Sequence, residues 1–201
     1  MQGDRPMLTH TTTALLEGLA SSANTTAWRL FDARYRPILT NFGLRLGLEA
    51  HDAEDVAQEA LSRFVVAYRA GRYDRSRGRL YSWLIGIARH CLIDMREQRR
   101  AGAAMPTGSI LDNLPDEHQM TLVLEAECER EVLRLSLEHL RTTTRTEPRT
   151  IEAFELLLNR VEPGEVAARL GMSVDEVYVA KHRCLRRLRP IVEQITGEYE
   201  L

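Results

Sequence analysis

Four polar side chains that could do chemistry stand close together in HDAEDVAQEALSRF: Asp52, Asp55, Gln58 and Glu59. At about 100° per residue they fall, with Ser62, within about 120° of one another. Val56, Ala60, Phe64 and Tyr68 fall on the opposite side. Carboxylates grouped in this way are raw material for acid–base catalysis or a metal site. The neighbours argue against both. His51 precedes the helix start expected at Ala53, and no second His/Glu cluster accompanies it. First-turn acids favour the helix dipole, which accounts for Asp52, Glu54 and Asp55 but less well for Glu59 in the second turn. Elsewhere there is no Gly-rich phosphate loop and no nucleophile beside a base. The chain is expected to have no enzyme activity and no cofactor.

The thiols lead to the same conclusion. Cys91, Cys128 and Cys184 are odd in number, widely spaced and outside any C-x-x-C pair, so reduced thiols in a cytoplasm are expected rather than disulfides or zinc. His182 and Cys184 lack a second ligand pair. No apolar run reaches the roughly 18 residues of a membrane span. MQGDRPMLTHTTT lacks the apolar core of a signal peptide. A cytoplasmic protein without membrane insertion is the expectation.

The basic residues are more telling. Of 27, Lys181 is the only lysine. GC-rich codons explain that bias, and guanidinium forks also suit phosphate and guanine. Although the net charge is −2, charge is segregated along the chain. From Gly71 to Arg100 eight Arg face three acids, leaving +5. From Asp112 to Glu138 eight acids face two Arg, leaving −6. Binding follows the local field rather than the total. Gly71–Arg79 reads as an Arg-rich loop with Asp74, Ser76 and Gly78 as turn formers. A helix follows with Tyr81, Trp83, Leu84, Ile87, Ala88, Cys91, Leu92 and Met95 and an Arg-rich end. Aromatic faces beside positive charge suit single-stranded nucleic acid, although a lone Trp among apolar neighbours is also expected to be part-buried.

Helical periodicity runs through almost the whole chain, and no period-two strand stands out. Helices are expected at Thr12–Ser21, Thr26–Leu46, Ala53–Ala70, Leu80–Arg100, Leu122–Thr143, Pro148–Arg160, Gly164–Leu170 and Val174–Thr196, giving an all-α fold. AGAAMPTGSILDNLPDEHQM, with two Gly and two Pro, interrupts the pattern as a linker. The expected organisation is an extension with a short helix over residues 1–25, a helical domain over 26–101, a linker over 102–127 and a second helical domain over 128–201.

The last domain contains a helix-turn-helix pattern. Pro163 suits a first helical turn. Val166, Ala167 and Leu170 give one apolar face, and Gly171 can adopt the left-handed conformation that ends a helix. Ser173 and Glu176 form a capping box for the next helix. On that helix Val177, Ala180, Cys184 and Leu188 form the buried side. Asp175, Val179, His182, Arg183 and Arg186 face outward, with Tyr178 and Arg189 on the flank. Such a face can enter a major groove.

Together these stretches resemble an RNA polymerase sigma factor of the sigma-70 family, of the extracytoplasmic-function type. DAEDVAQEAL resembles the segment that grips the polymerase clamp helices. RGRLYSWLIGIARHCLIDMREQRR resembles the promoter-melting and minus-ten region, and VEPGEVAARLGMSVDEVYVAKHRCLRRLR the minus-thirty-five helix-turn-helix. The resemblance covers about Ala27–Arg100 and Arg134–Arg189. It implies two small helical domains, regions 2 and 4, on a flexible linker. It implies that Asp52, Asp55, Gln58 and Glu59 face core RNA polymerase. Arg75, Ser76, Arg77, Gly78 and Arg79 would capture a flipped minus-ten base, with Trp83, Arg89, His90, Asp94 and Arg96 on the helix beneath. Ser173, Asp175, Tyr178, Val179, His182, Arg183 and Arg186 would approach the minus-thirty-five element. The implied partners are the clamp helices and flap of the large polymerase subunits and promoter DNA, with room for an anti-sigma factor. Tyr178, Val179 and Ala180 depart from the family's usual Lys-Ser-Arg. The alternatives are a stand-alone helix-turn-helix regulator of duplex DNA, and an interaction protein that binds polymerase without starting transcription.

Overall fold

The computed structural model describes residues 12–21, 24–74, 76, 80–101 and 115–199. Among these the fold is all-helical, as expected: α1 (Thr12–Ala20), α2 (Thr25–Arg45), α3 (Ala50–Arg69), α4 (Leu80–Ala101), α5 (Glu117–Thr143), α6 (Pro148–Leu158), α7 (Pro163–Leu170) and α8 (Val174–Tyr199). The chain divides into two compact units, one comprising Met1–Glu131 and Gly197–Leu201, the other Val132–Thr196.

In the first unit α2, α3 and α4 pack around an aromatic seam. Phe31 of α2 stacks on Phe64 of α3, with ring centroids 4.8 Å apart. Trp83 of α4 meets Phe64 edge-on at 5.0 Å. Offset and edge-on geometries of this kind add to the area buried. α2 and α3 approach closely at Gly43, where a Cβ would lie 3.0 Å from that of Ala53. A side chain there would push α2 off α3. Asn24 caps α2, its Oδ1 accepting from the Ala27 N–H at 3.0 Å.

The second unit packs α6, α7 and α8 around Ala153, Val166, Ala167, Val177 and Ala180. Gly171 ends α7 in the left-handed region, at φ 60°. Ser173 and Glu176 then close the capping box in both directions: the Ser173 N–H donates to Glu176 Oε2 at 2.7 Å, and the Glu176 N–H to Ser173 Oγ at 3.2 Å. The helix-turn-helix read from the sequence is therefore formed.

Several boundaries differ from expectation. α3 begins at Ala50, so His51 lies in its first turn, with Nε2 3.4 Å from Asp55. α5 begins at Glu117 rather than Leu122, because Asp116 caps it by accepting from the Gln119 N–H at 2.8 Å. Glu117–Glu127 is thus helix, not linker; residues 102–114 lie outside the described set. α6 stops at Leu158, because Arg160 turns into the left-handed region at φ 62° and the Val161 N–H closes back on Leu156 O. α8 runs on to Tyr199 through Pro190. That proline removes one helical hydrogen bond, but Ile191 and Ile195 on the following turns are buried.

Candidate polymerase and nucleic-acid interfaces

The acidic face of α3 is formed, with one correction. Asp55, Gln58 and Glu59 are exposed, whereas Asp52 is buried at 9%. Asp52 stands one turn before Val56, on the edge of the stripe that packs inward, so it belongs to the interior. The three exposed residues line a cleft of about 460 Å³ between α3 and α4, together with Arg63, Cys91 and Asp94.

Arg63 organises that cleft. Its Nε donates to Glu59 Oε1 at 2.7 Å, and its Nη1 to Asp94 Oδ2. These two carboxylates hold the guanidinium firmly in its charged form. The cleft keeps three acids against one arginine, so it favours a basic partner. Below them the Cys91 thiol is pushed up to about 11, mainly by burial, which makes it a core residue rather than a nucleophile.

Arg63 also ties α3 to α4. Asp94 was expected among the minus-ten residues, but Arg63 draws it to the acidic cleft. Arg89 is half-buried and donates to Glu117 Oε2 of α5 at 2.7 Å. His90 is exposed, and Arg96 is half-buried. Arg89 and Arg96, seven residues apart, share one side of α4, and His90 and Asp94, four apart, share another. Trp83 is half-buried, with one face stacked on Tyr73 at 5.2 Å and its edge against Phe64. It thereby ties Tyr73 to the aromatic seam. Within that loop Ser76 is exposed, and both its N–H and its Oγ donate to Asp74 Oδ1, at 2.9 and 2.6 Å. Arg75, Arg77, Gly78 and Arg79 lie outside the described residues.

On α8 the expected division of faces is realised. Val177, Ala180, Cys184 and Leu188 are buried. Ser173, Asp175, Tyr178, Val179, His182, Arg183 and Arg186 are exposed. Arg36, Arg45, Arg63, Arg89, Arg141 and Arg169 are each paired with a carboxylate. His182, Arg183 and Arg186, by contrast, have no hydrogen-bond or ion-pair partner among the described residues. Arg183 and Arg186 therefore give this outward face a positive charge that no carboxylate among the described residues offsets.

One contributor was not foreseen. Arg149, in the first turn of α6, donates to the carbonyl of Gly171 and so ties α6 to the turn between α7 and α8. Nothing in the sequence pattern links two positions 22 residues apart.

Among the described residues the chain combines an acidic cleft in one unit with a helix-turn-helix in the other. Comparison with known families is more specific: residues 31–102 match the model of sigma-70 region 2. The match runs from Phe31 of α2 just past the end of α4, about a third of the chain, and lies within the first unit. Comparison with curated proteins and with solved structures gives no match. Among the described residues no group of three or more His, Cys, Asp or Glu is placed to hold a metal ion, and no helix is long and apolar enough to cross a membrane.

Proposed function

We infer that this chain is a sigma factor of the extracytoplasmic-function type, which binds core RNA polymerase and directs it to promoters. The observation that carries the reading is the occurrence, in one chain, of a sigma-70 region 2 match and a helix-turn-helix whose outer cations are not neutralised. A region 2 domain favours this reading over a stand-alone regulator.

In this scheme Asp55, Gln58 and Glu59 meet basic residues of the polymerase clamp helices, and the second unit meets the flap. Ser76, with Arg75, Arg77, Gly78 and Arg79, receives a base flipped from the minus-ten element. Unstacking a base costs a few kcal/mol, which the loop offsets with charge and hydrogen bonds. Trp83 supports that loop from beneath, since Tyr73 and Phe64 already cover its ring. Ser173, Asp175, Tyr178, Val179, His182, Arg183 and Arg186 address the minus-thirty-five duplex, with Arg183 and Arg186 near phosphates. Asp52 acts through the α3 interior and Asp94 through the acidic cleft. Work with the polymerase places the protein in the cytoplasm, where an anti-sigma factor is a further partner. Gel filtration of the full chain with core polymerase at moderate salt tests the reading. Co-elution is expected, and separate elution overturns it.

A further inference from the structure

Two large apolar side chains stand on the outer face of α8. Tyr178 is 53% exposed and Val179 47%. Both lie in the second turn, one turn before His182 and Arg183. The helix continues to bury Val177 and Ala180 directly beside them, so their exposure is not a slip in the helix register. Asp175 stands one turn before Val179, but Arg183 and Arg186, further along the same face and without a partner among the described residues, leave it net positive, which favours a polyanion over an apolar protein partner. Within a major groove the apolar feature offered to a side chain is the C5-methyl group of thymine.

We propose that Tyr178 and Val179 read thymine methyl groups in the minus-thirty-five duplex, so that this protein selects A·T pairs at the positions facing the second turn of α8. The proposal rests on the reading of α8 as the minus-thirty-five helix. A helix bearing cations at these positions would present hydrogen-bond donors, and would favour the O6 and N7 acceptors of guanine. An isopropyl group and a phenol ring instead gain contact area from a methyl group and lose it when the methyl is absent. Specificity then comes from apolar contact at the start of the face, and affinity from Arg183 and Arg186 further along.

The test uses holoenzyme, the full chain bound to core polymerase. Selection from duplexes randomised over the minus-thirty-five region first gives the preferred sequence. Each thymine in it is then replaced by deoxyuridine, which removes the methyl group and leaves every hydrogen-bonding group in place. At one or more positions the replacement is expected to weaken binding roughly three- to fivefold, the worth of one buried methyl group. Val179→Ala or Tyr178→Ala should abolish that sensitivity. Arg183→Ala should weaken binding to the thymine and deoxyuridine duplexes equally. Both apolar residues are exposed, so these variants keep the core intact. A preferred sequence that binds equally well with deoxyuridine throughout overturns the methyl reading and leaves α8 as the reader. A selection that returns no minus-thirty-five preference overturns the assignment of α8 itself, and the proposal with it.

Discussion

Replacing both Asp55 and Glu59 with lysine should separate binding from folding. In the free protein Glu59 is paired one turn ahead with Arg63 at 2.7 Å, and both side chains are about half exposed. Pairs of this kind contribute about 0.3–0.5 kcal/mol, and like charges at the same spacing cost a similar amount. Glu59→Lys therefore costs about 1 kcal/mol of stability, with Arg63 still held by Asp94. Asp55 faces only a well-exposed His51 at 3.4 Å, and its reversal costs less. Neither position packs against the Phe31–Phe64–Trp83 seam, so helical content should be unchanged. Against a basic partner, each reversal turns an attraction of about 0.2–1 kcal/mol into a repulsion of similar size. Two positions give about 1–4 kcal/mol, or roughly five- to several-hundredfold weaker binding. Biolayer interferometry with immobilised core polymerase measures this directly. The difference should shrink between about 0.1 M and 0.5 M salt, as the Debye length falls from roughly 10 Å. A folded double variant that binds core as tightly as the parent at low salt would refute the assignment of this face.

Further expectations concern the framework. Ser173→Ala removes one half of the α8 capping box and should cost about 1 kcal/mol in thermal or urea unfolding. Hydrogen bonds from Ser173 hold the Glu176 carboxyl below its ordinary range, so the box is intact above the unfolded carboxyl value near ~4.3 and is lost as pH falls through the lower folded value; in Glu176→Gln that part of the acid sensitivity should disappear. Trp83→Ala opens the aromatic seam and should cost about 2–3 kcal/mol, with Trp83→Phe retaining most of the stability; a loss in Trp83→Ala too small to measure would contradict the bracing role. Burial raises the Cys128 thiol to about 12. Between pH 8 and pH 10 the unfolded thiol ionises and the folded one does not, so stability falls with rising pH, by roughly 1–2 kcal/mol at pH 10 for this group. Cys128→Ala should flatten that slope, and the native thiol should resist alkylation until the chain unfolds.

Much of the fold was legible because helical periodicity and cap chemistry are local. Gly171, Ser173 and Glu176 announce the helix-turn-helix within six residues, and the α8 wheel sorts its faces correctly because one side packs on a small, continuous core. The start of α5 was equally available in Asp116 and Gln119, an N-cap and its partner at the third helical position, but the Gly and Pro residues upstream masked it. Asp52 was misplaced because a wheel gives angle and not neighbours: it stands about 40° from Val56, and only the packing of the bundle decides that this edge is inside. Pairings across long stretches of sequence were out of reach. Arg63 with Asp94 and Arg89 with Glu117 are tertiary contacts that no local pattern shows. Where acids and arginines are both plentiful, composition cannot tell which cations are already satisfied. The structure distinguishes the neutralised arginines from the open row on α8.

Run-off transcription tests the central claim most directly. Core polymerase supplemented with the purified chain should produce a discrete transcript from a template carrying upstream sequences mapped at start sites induced by overexpression of this protein. The transcript should be absent with core alone and lost when the minus-ten element is scrambled. Stable binding to core with no start-specific transcript, or a transcript indifferent to the minus-ten sequence, would contradict the account.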